Sequence, residues 1–471
     1  MYCIIKGHDF EHELQTIGQI FYKNQGFCRV DSIPADGVCL LSCFDDGSLT
    51  SGLYIDGSEV SLNASKLDPD ILQSRDKLCF AVKSQMFKLI SEFTSKNTPW
   101  GSLTGIRPTK IMHSLLNEGL EEASAVKFIQ EKYSVSAEKA RLLAEVVDVQ
   151  QGLLKSRNIN DVSIYISIPF CPTRCHYCSF AAHPMDKYSK HTDSYVDALI
   201  NELSGTKKLI EGMNVRTIYI GGGTPTALTV SQLERLLCNV EDTFCLDNIQ
   251  EYSVEAGRPD TITEENLKLL KKYGVLRISI NPQTLKSETL AQIGREHTPQ
   301  QFFNAYNIAR EAGFDFINVD LIAGLPGESV SDFDNTLEKI CLLSPENLTV
   351  HTLAIKRASK FKEDMVDKGA TFESSGVGNM LSLAYEYAKN FDMKPYYLYR
   401  QKNMVDLFEN VGYAKKGREC IYNIHIMEET ETIIAFGAGA VTKYVYPMEN
   451  RIERIANVKD VLEYIKRNII D

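Results

Sequence analysis

The sequence lacks the features that mark membrane-spanning, secreted and nucleic-acid-binding proteins. No apolar run in its 471 residues is long enough to span a bilayer. The N-terminal segment MYCIIKGHDFEHELQ has early acidic residues and no long apolar run, unlike a secretory signal. The net charge is -11, whereas nucleic-acid binding needs a clustered excess of Lys and Arg. We therefore expect a cytoplasmic protein with no membrane span and no nucleic-acid partner.

Low-complexity tracts and solenoid repeats are also absent, and Trp100 is the only tryptophan. The composition, with 44% hydrophobic and 24% charged residues, is ordinary for a globular protein. The chain has 12 cysteines, but most are scattered singly, unlike the dense spacing of a secreted disulfide framework. A chain of this length can bury a sizeable core and suggests two or three domains.

Strand-like and helical patterns divide the chain into four segments. Residues 1–95 mix short strands, turns and helical runs, which predicts an α+β N-terminal domain. Residues 96–160 have the pattern of a helical linker region, and residues 395–471 indicate a small C-terminal domain. Between them, residues 161–394 contain six apolar strand-like runs separated by amphipathic helical segments.

Strand alternating with helix is typical of parallel βα units. Six units are fewer than the eight of a closed barrel. The pattern therefore predicts an α/β fold built on a partial, open (β/α)6 barrel, whose wide side can take a large substrate. Functional side chains should lie where the strands end, because sites of such folds form at the C-terminal face.

A C-x3-C-x2-C motif follows the first of these strands, at Cys171, Cys175 and Cys178. Cysteine thiolates are the usual ligands of iron–sulfur clusters. Three cysteines can hold three irons of a 4Fe-4S cubane, which leaves the fourth iron for the amino and carboxylate groups of S-adenosylmethionine. An electron from the cluster would then cleave the sulfur–carbon bond and give a hydrogen-abstracting adenosyl radical.

The alternatives to a cluster are a structural zinc site and three unrelated thiols. Zinc sites usually present paired cysteines and four protein ligands. The nearest fourth candidate is His176, which lies inside the loop and is badly placed to join its neighbours. The motif therefore favours the cluster.

A glycine-rich segment, IYIGGGTPT (218–226), follows the second strand. Its glycines allow the backbone to approach a ligand closely, and Thr224 adds a hydroxyl. Such a segment alone is weak evidence, because it is also typical of a tight turn. Its position one βα unit after the cysteine loop matches the segment that binds the methionine amino group in radical S-adenosylmethionine (SAM) enzymes.

The sequence YISIPFCPTRCHYCSF resembles the opening of the radical SAM oxygen-independent coproporphyrinogen III oxidase (coproporphyrinogen dehydrogenase) family. The resemblance continues through SVEAGRPD, RISINPQTL, GREHT and NVDLIAGLPGE, and it covers most of residues 161–445. PWGSLTGIRPTKI and HTLAIKRASKF are similar to the HemZ-like branch in particular. The resemblance implies a 4Fe-4S cluster and S-adenosylmethionine as cofactors.

The resemblance also implies roles for individual residues. Cys171, Cys175 and Cys178 would be the cluster ligands. The residues that would contact the cofactor are Tyr165, Tyr177, Gly222, Gly223, Thr224, Glu255, Gln283, Arg295, Asp320 and Ala354. An arginine can pair with the cofactor carboxylate, and acidic side chains can accept from ribose hydroxyls. Each residue alone could be a helix cap or a surface ion-pair partner, but their order on successive strand ends favours a shared site.

The implied reaction is oxidative decarboxylation of two propionates of coproporphyrinogen III to vinyl groups, giving protoporphyrinogen IX in heme biosynthesis. The implied partners are a tetrapyrrole substrate and a reductant protein such as flavodoxin or ferredoxin. The basic residues suited to the propionates are Arg107, Lys110, Lys356, Arg357, Arg400 and Lys402.

Two alternatives to this reaction remain open: a heme-binding chaperone of the HemW type, and a radical SAM enzyme acting on another tetrapyrrole. Ser167 stands where the HemN branch has a histidine, and Phe180 stands where that branch has a further cysteine. Heme chaperones share the ending at Phe180 and do not carry out the decarboxylation, so these departures bear on the choice.

Overall fold

The computed structural model describes residues 1–22, 25–96, 98–105, 107–155, 158–178, 182–355, 359–361, 376–401, 404 and 407–468. The chain divides into two compact units, Met1–Ala144 and Glu145–Asp471. The finer division into four segments stays a prediction. Within the described ranges, no helix combines the length and the apolar character that crossing a membrane requires. The cytoplasmic location also stays a prediction.

The first unit contains a five-stranded sheet with the strand order β2-β1-β3-β4-β5. Its strands are β1 (Tyr2–Lys6), β2 (Cys28–Arg29), β3 (Val38–Asp45), β4 (Ser48–Ile55) and β5 (Ser58–Lys66). Asp46 and Gly47 join β3 to β4 with positive φ angles of 41° and 71°, as a tight hairpin turn requires. The helices are α1 (Glu11–Phe21), α2 (Pro69–Leu72), α3 (Arg75–Thr94), α4 (Thr109–Asn117), α5 (Glu122–Tyr133) and α6 (Ala137–Leu154), the last of which continues into the second unit.

The second unit is built on an 11-stranded sheet. Its strands and those of a small neighbouring ladder are β6 (Asp161–Ile168), β7 (Phe170–Cys171), β8 (His183–Pro184), β9 (Asn214–Gly222), β10 (Glu251–Val254), β11 (Arg277–Ser279), β12 (Phe316–Ala323), β13 (Asn347–Thr352), β14 (Met393–Tyr399), β15 (Asn410–Lys415), β16 (Thr432–Phe436), β17 (Val441–Tyr446) and β18 (Arg451–Ala456). The two-stranded ladder is β7-β8.

The predicted α/β fold with six parallel strands is confirmed. Strands β6, β9, β10, β11, β12 and β13 are neighbours in that order, and each pair is parallel. The following helices are α7 (Met185–Tyr188), α8 (Thr192–Gly205), α9 (Val230–Thr243), α10 (Glu264–Lys272), α11 (Ser287–Gln292), α12 (Pro299–Glu311), α13 (Val330–Leu342), α14 (Val377–Asn390), α15 (Ile421–Glu428) and α16 (Val461–Asn468).

Local sequence explains where the barrel helices begin. A threonine or serine at the N-cap and a polar side chain three residues later satisfy each other's backbone N–H groups in a capping box. This arrangement opens α9 at Thr229, α10 at Thr263, α12 at Thr298 and α13 at Ser329. The strands that the helices cover are almost continuously buried, as expected for parallel strands.

The C-terminal part of the chain extends the same sheet at both ends. Strand β16 pairs in parallel with β6, and β17 and β18 follow it as an antiparallel extension. At the other end, β15 pairs antiparallel with β13, and β14 pairs with β15. The segment predicted as a small C-terminal domain therefore contributes strands to the barrel sheet. The barrel stays open because its two outer strands, β6 and β13, pair with β16 and β15 and not with each other.

Candidate functional site

A cavity of about 360 Å³ lies where the parallel strands of the second unit end. Its volume falls in the range of about 300–1,000 Å³ that is typical of small-molecule sites. All of the predicted site residues except Tyr165 line it. These are Cys171, Cys175, Cys178, Tyr177, Gly222, Gly223, Thr224, Glu255, Gln283, Arg295, Asp320 and Ala354. The strand ends thus bring residues from across 180 positions of sequence into one cavity.

The cysteine loop starts directly after β6 and is held by two other segments. The hydroxyl of Thr224, from the glycine-rich segment, donates to the Cys171 thiol at 3.5 Å. The backbone N–H of His176 donates to the carbonyl of Ile293 at 2.9 Å, which ties the loop to the segment after α11. The loop is therefore held in place by a backbone hydrogen bond as well as by a hydrogen bond to one of its thiols.

The donor set of this loop fits an iron–sulfur cluster. Among the residues that the structure describes, no three His, Cys, Asp or Glu side chains converge as ligands of a single metal ion. In a cubane each cysteine binds a different iron, so its ligands surround a cluster and need not converge on one ion. Burial raises the pKa of the Cys171 thiol to about 11, so metal binding must displace its proton.

The glycine-rich segment is locked against the end of β6. The backbone N–H of Gly223 donates to the Ile168 carbonyl at 2.7 Å, and that of Thr224 donates to the Phe170 carbonyl at 2.7 Å. A Cβ at Gly223 would lie 2.4 Å from the Phe170 carbonyl oxygen, and Gly222 has a φ of +106°. Both positions therefore require glycine, and the close approach leaves their backbone exposed to the cavity.

Glu255 lies at the end of β10 with both carboxylate oxygens engaged. The Tyr219 hydroxyl donates to Oε1 at 2.7 Å, and the backbone N–H of Gly222 donates to Oε2 at 3.1 Å. Burial raises the pKa of Glu255 to about 7. The side chain thus orients the Tyr219 ring and the turn formed by Gly222 and Gly223, called the glycine turn below. It also borders the cavity.

Gln283 presents an unsatisfied acceptor to the cavity. Its backbone has a positive φ of 68°, which is uncommon for a residue other than glycine and is often found at functional sites. Its side-chain Oε1 is buried with no hydrogen-bond partner in the described structure. Buried polar atoms are almost always paired, so this oxygen fits a ligand that donates a hydrogen bond.

Asp320 and Arg295 are fixed by neighbours on the same side of the cavity. Asn318 Nδ2 donates to Asp320 Oδ1 at 2.7 Å. Arg295 Nε lies 3.3 Å from the Tyr177 hydroxyl, and Nη1 donates to the Asn281 carbonyl. Burial opposes the charge of Arg295, but the Tyr177 hydroxyl and the Cys175 thiol raise its pKa above the ordinary value. Arg295 therefore remains a buried cation.

Tyr165 is the predicted site residue that the structure places elsewhere. Its ring stacks at 6.3 Å from the ring of Tyr219 and at 6.2 Å from that of Tyr422, and it does not line the cavity. Tyr219, opposite it on β9, occupies the cavity wall. Direct contact of Tyr165 with the cofactor is thus not supported by its position, and Tyr165 supports the ring of Tyr219.

The structure adds lining residues that the sequence analysis did not single out. Arg258 lies in SVEAGRPD, directly after a strand-like run, and His351 lies within the sixth strand-like run. These positions could have identified both residues as candidates for the site. Tyr397 and Tyr399 also line the cavity and alternate along β14, which places them on one face. Their approach to the site depends on β15, the neighbour of β14, pairing with the distant strand β13, which local sequence does not specify.

Of the basic residues proposed for the substrate propionates, Arg400 is the one that the structure describes within the second unit. Arg400 is buried, donates from Nη2 to the Leu407 carbonyl at 2.8 Å and does not line the cavity. Arg107 and Lys110 belong to the first unit, and their role stays a prediction. Three of the proposed basic residues lie outside the described residues: Lys356, Arg357 and Lys402. Phe180 also lies outside them.

Comparison with known proteins assigns the second unit to a superfamily. The Radical SAM superfamily profile matches residues 165–340. The chain is 39% identical over 463 residues to the oxygen-independent coproporphyrinogen-III oxidase-like protein HemZ of Bacillus subtilis, which covers 96% of this chain and 92% of that protein. It is 31% identical over 304 residues to the heme chaperone HemW of Bacillus subtilis, covering 64% of this chain and 76% of that protein.

A solved structure shares the fold. The coproporphyrinogen III oxidase HemN from Escherichia coli, described as a radical SAM enzyme, superposes with a TM-score of 0.53 at 23% identity. The similarity covers 67% of this chain and 72% of that one.

Proposed function

Because the chain belongs to the family of the oxygen-independent coproporphyrinogen-III oxidase-like protein HemZ within the radical SAM superfamily, we propose that it decarboxylates coproporphyrinogen III. Its cofactors are a 4Fe-4S cluster and S-adenosylmethionine, which together supply a hydrogen-abstracting adenosyl group by reductive cleavage of a sulfur–carbon bond. Two propionates would become vinyl groups, giving protoporphyrinogen IX. Each would lose a hydrogen atom from the carbon β to its carboxylate to the adenosyl group, and then carbon dioxide, as one electron passes to an external one-electron acceptor.

The observation that carries this proposal is the continuity of the cavity. The cysteine loop lines this cavity, and so do Tyr219, Tyr397 and Tyr399. A flat pyrrole ring packs well on such aromatic side chains. A substrate seated there shares one cavity with the cofactor, which holds the reacting atoms close together.

The residues around the cysteine loop suit the cofactor. We assign the cluster to Cys171, Cys175 and Cys178. The free Oε1 of Gln283 and the carboxylate of Asp320 are acceptors for amino or hydroxyl groups, and Arg295 is a cation for a carboxylate. The glycine turn admits the methionine moiety close to the backbone, since no side chain intervenes.

His351 is the residue that we assign to the substrate carboxylate. Apart from Arg258 and Arg295, it is the one lining residue in the described structure that can carry a positive charge. Its Nε2 lies 3.7 Å from Asp320 Oδ2, and its Nδ1 lies 3.3 Å from the Tyr399 hydroxyl. An imidazole N–H can donate a hydrogen bond to a propionate carboxylate.

A second candidate, heme carriage, is favoured by the similarity to the heme chaperone HemW. A heme carrier needs an axial iron ligand, and His351 is the histidine that lines the cavity. The similarity to HemW, 31% identity over 64% of this chain, is lower than that to HemZ, 39% identity over 96% of this chain. For this reason we place heme carriage second.

Anaerobic turnover distinguishes these candidates. The reconstituted protein is incubated with S-adenosylmethionine, coproporphyrinogen III and a reductant protein of the flavodoxin or ferredoxin type, and the products are followed by mass spectrometry. The proposal predicts harderoporphyrinogen followed by protoporphyrinogen, and no product from the Cys175→Ala variant. Stoichiometric heme binding without a decarboxylated product, while the cofactor is cleaved, would contradict it. Turnover restricted to a different tetrapyrrole would contradict the substrate assignment alone.

A further inference from the structure

Two buried arginines approach the cysteine loop, and the assignments above leave Arg258 without a role. Arg258 follows β10, and its side chain is 3% exposed. It lines the cavity together with the cysteines. Because burying a guanidinium is costly unless its charge is paired, its partners indicate its purpose.

Asp260 holds the guanidinium in a fixed orientation. Arg258 Nε and Nη2 donate to Asp260 Oδ1 and Oδ2, both at 2.9 Å, which is the two-pronged geometry of a strong arginine–carboxylate pair. The Arg258 backbone is held as well, because its N–H donates to the Ala256 carbonyl and its carbonyl accepts from the Thr261 hydroxyl at 2.8 Å. The direction of the remaining nitrogen is therefore determined.

The remaining nitrogen, Nη1, is directed at the cysteine loop. It lies 3.7 Å from Cys175 Sγ, within the range of an N–H···S hydrogen bond, and 3.2 Å from Thr173 Oγ1. Cys175 is only 9% exposed, so little water screens this contact. A permanent cation thus donates directly to the sulfur of one of the three cluster ligands.

A hydrogen bond from a cation to a ligating sulfur has a predictable electronic effect. Reduction of the cluster adds negative charge, part of which is carried by the ligand sulfurs. A nearby positive charge stabilises the reduced form more than the oxidised form, so it raises the reduction potential. The same contact restrains the rotamer of Cys175.

We propose that Arg258, clamped by Asp260, is a positioning residue that orients Cys175 and raises the reduction potential of the cluster. The electron itself comes from the external reductant, and Arg258 shifts only the equilibrium of that one-electron step. This role depends on the cofactor set and not on the identity of the substrate.

The test is an EPR-monitored redox titration of the reconstituted protein without S-adenosylmethionine or substrate. Arg258→Gln removes the charge, Arg258→Lys keeps it without the two-pronged geometry, and Arg216→Gln is the matched control. Arg216 is a comparably buried arginine, 3.2 Å from Asp161 at the opposite end of the strands, with side chains 5% and 2% exposed. Iron and sulfide content is measured in parallel for each variant.

We expect Arg258→Gln to lower the equilibrium constant for reduction at least tenfold, about 59 mV for one electron. Arg258→Lys should fall between this variant and the wild type, and Arg216→Gln should keep the wild-type potential. If the Arg258→Gln variant binds no cluster, the reduction potential of the Arg258→Lys variant decides the test. It is expected to be lower than that of the wild type. A wild-type potential in a cluster-containing Arg258 variant, or an equal shift in Arg216→Gln, would overturn the proposal. So would loss of the cluster from both Arg258 variants when their folds are intact by circular dichroism, because Arg258 would then serve assembly alone.

Discussion

At the scale of single residues, the three thiols of the cysteine loop are the least replaceable groups. Each of Cys171→Ala, Cys175→Ala and Cys178→Ala removes one of only three protein ligands. We expect each variant to lose the cubane absorption and the cleavage of S-adenosylmethionine. Cys238→Ala is the control, because this thiol is exposed and lies outside the cavity. Iron and sulfide analysis with absorption spectroscopy checks the result, and a full cubane in any loop variant would refute the ligand set.

Glu255 should impose a pH dependence on stability. Burial raises its pKa from 4.5 to about 7 in the folded protein. The folded state therefore holds this proton more tightly than the unfolded state. The contribution of Glu255 to stability is complete below pH 4.5 and is lost as the pH rises through about 7.

Glu255→Gln should lack this dependence, because glutamine does not titrate. The free energy of unfolding of Glu255→Gln, minus that of the wild type, should increase by about 3 kcal/mol as the pH rises through this window. Urea denaturation of both proteins without S-adenosylmethionine, at a series of pH values, measures the difference. A constant difference across the window would show that the carboxyl group titrates normally.

His351 is the residue whose replacement should separate substrate binding from cofactor binding. Removing a hydrogen-bonding partner of a bound carboxylate typically costs about 1–3 kcal/mol. We expect His351→Gln to raise the KM for coproporphyrinogen III accordingly and to leave the affinity for S-adenosylmethionine unchanged. His12→Gln, an exposed histidine of the first unit, serves as the control. An unchanged KM in His351→Gln would remove this residue from the substrate site.

At the scale of structural elements, the glycine turn after β9 couples the cofactor site to the cysteine loop. A Cβ at position 223 would lie 2.4 Å from the carbonyl oxygen of Phe170, the residue before Cys171. Gly223→Ala should therefore displace the turn or the loop, weaken S-adenosylmethionine binding and destabilise the fold by about 1–3 kcal/mol. Isothermal titration and urea denaturation measure the two effects.

Gly152→Ala is the matched control for this substitution. Gly152 lies within α6, and a Cβ there would meet no atom within 4 Å. The alanine should be neutral or stabilise by about 0.4–1 kcal/mol, since it restricts the unfolded chain. Equal behaviour of the two variants would contradict the close packing inferred at Gly223.

The same elements show how far sequence reasoning reaches. Local periodicity predicted the six parallel strands. The family resemblance, together with the order of the residues on successive strand ends, predicted that Glu255, Gln283 and Asp320 would share a site. Tyr165 is the exception: its ring stacks behind Tyr219, which takes the cavity wall instead. Arg258 lies in the motif SVEAGRPD, but the direction of its guanidinium depends on Asp260 and Cys175 together.

At the scale of the whole molecule, long-range pairing decides what the site contains. Strand β16 joins β6 across about 270 residues of chain, and β15 joins β13. No local pattern specifies these partners, so the C-terminal segment looked like a separate domain in the sequence. Its β14 supplies Tyr397 and Tyr399, which means that the cavity is completed by a strand the sequence did not place.

The proposed reaction begins with removal of a hydrogen atom from a propionate of coproporphyrinogen III. The most direct measurement uses substrate deuterated at the carbons β to the propionate carboxylates, incubated anaerobically with S-adenosylmethionine and reductant. Mass spectrometry then determines the isotopic content of the 5′-deoxyadenosine that is released. We expect deuterium to be transferred into 5′-deoxyadenosine and deuterated vinyl products to accumulate with it. Release of unlabelled 5′-deoxyadenosine, with the tetrapyrrole recovered unchanged, would refute the proposed decarboxylation.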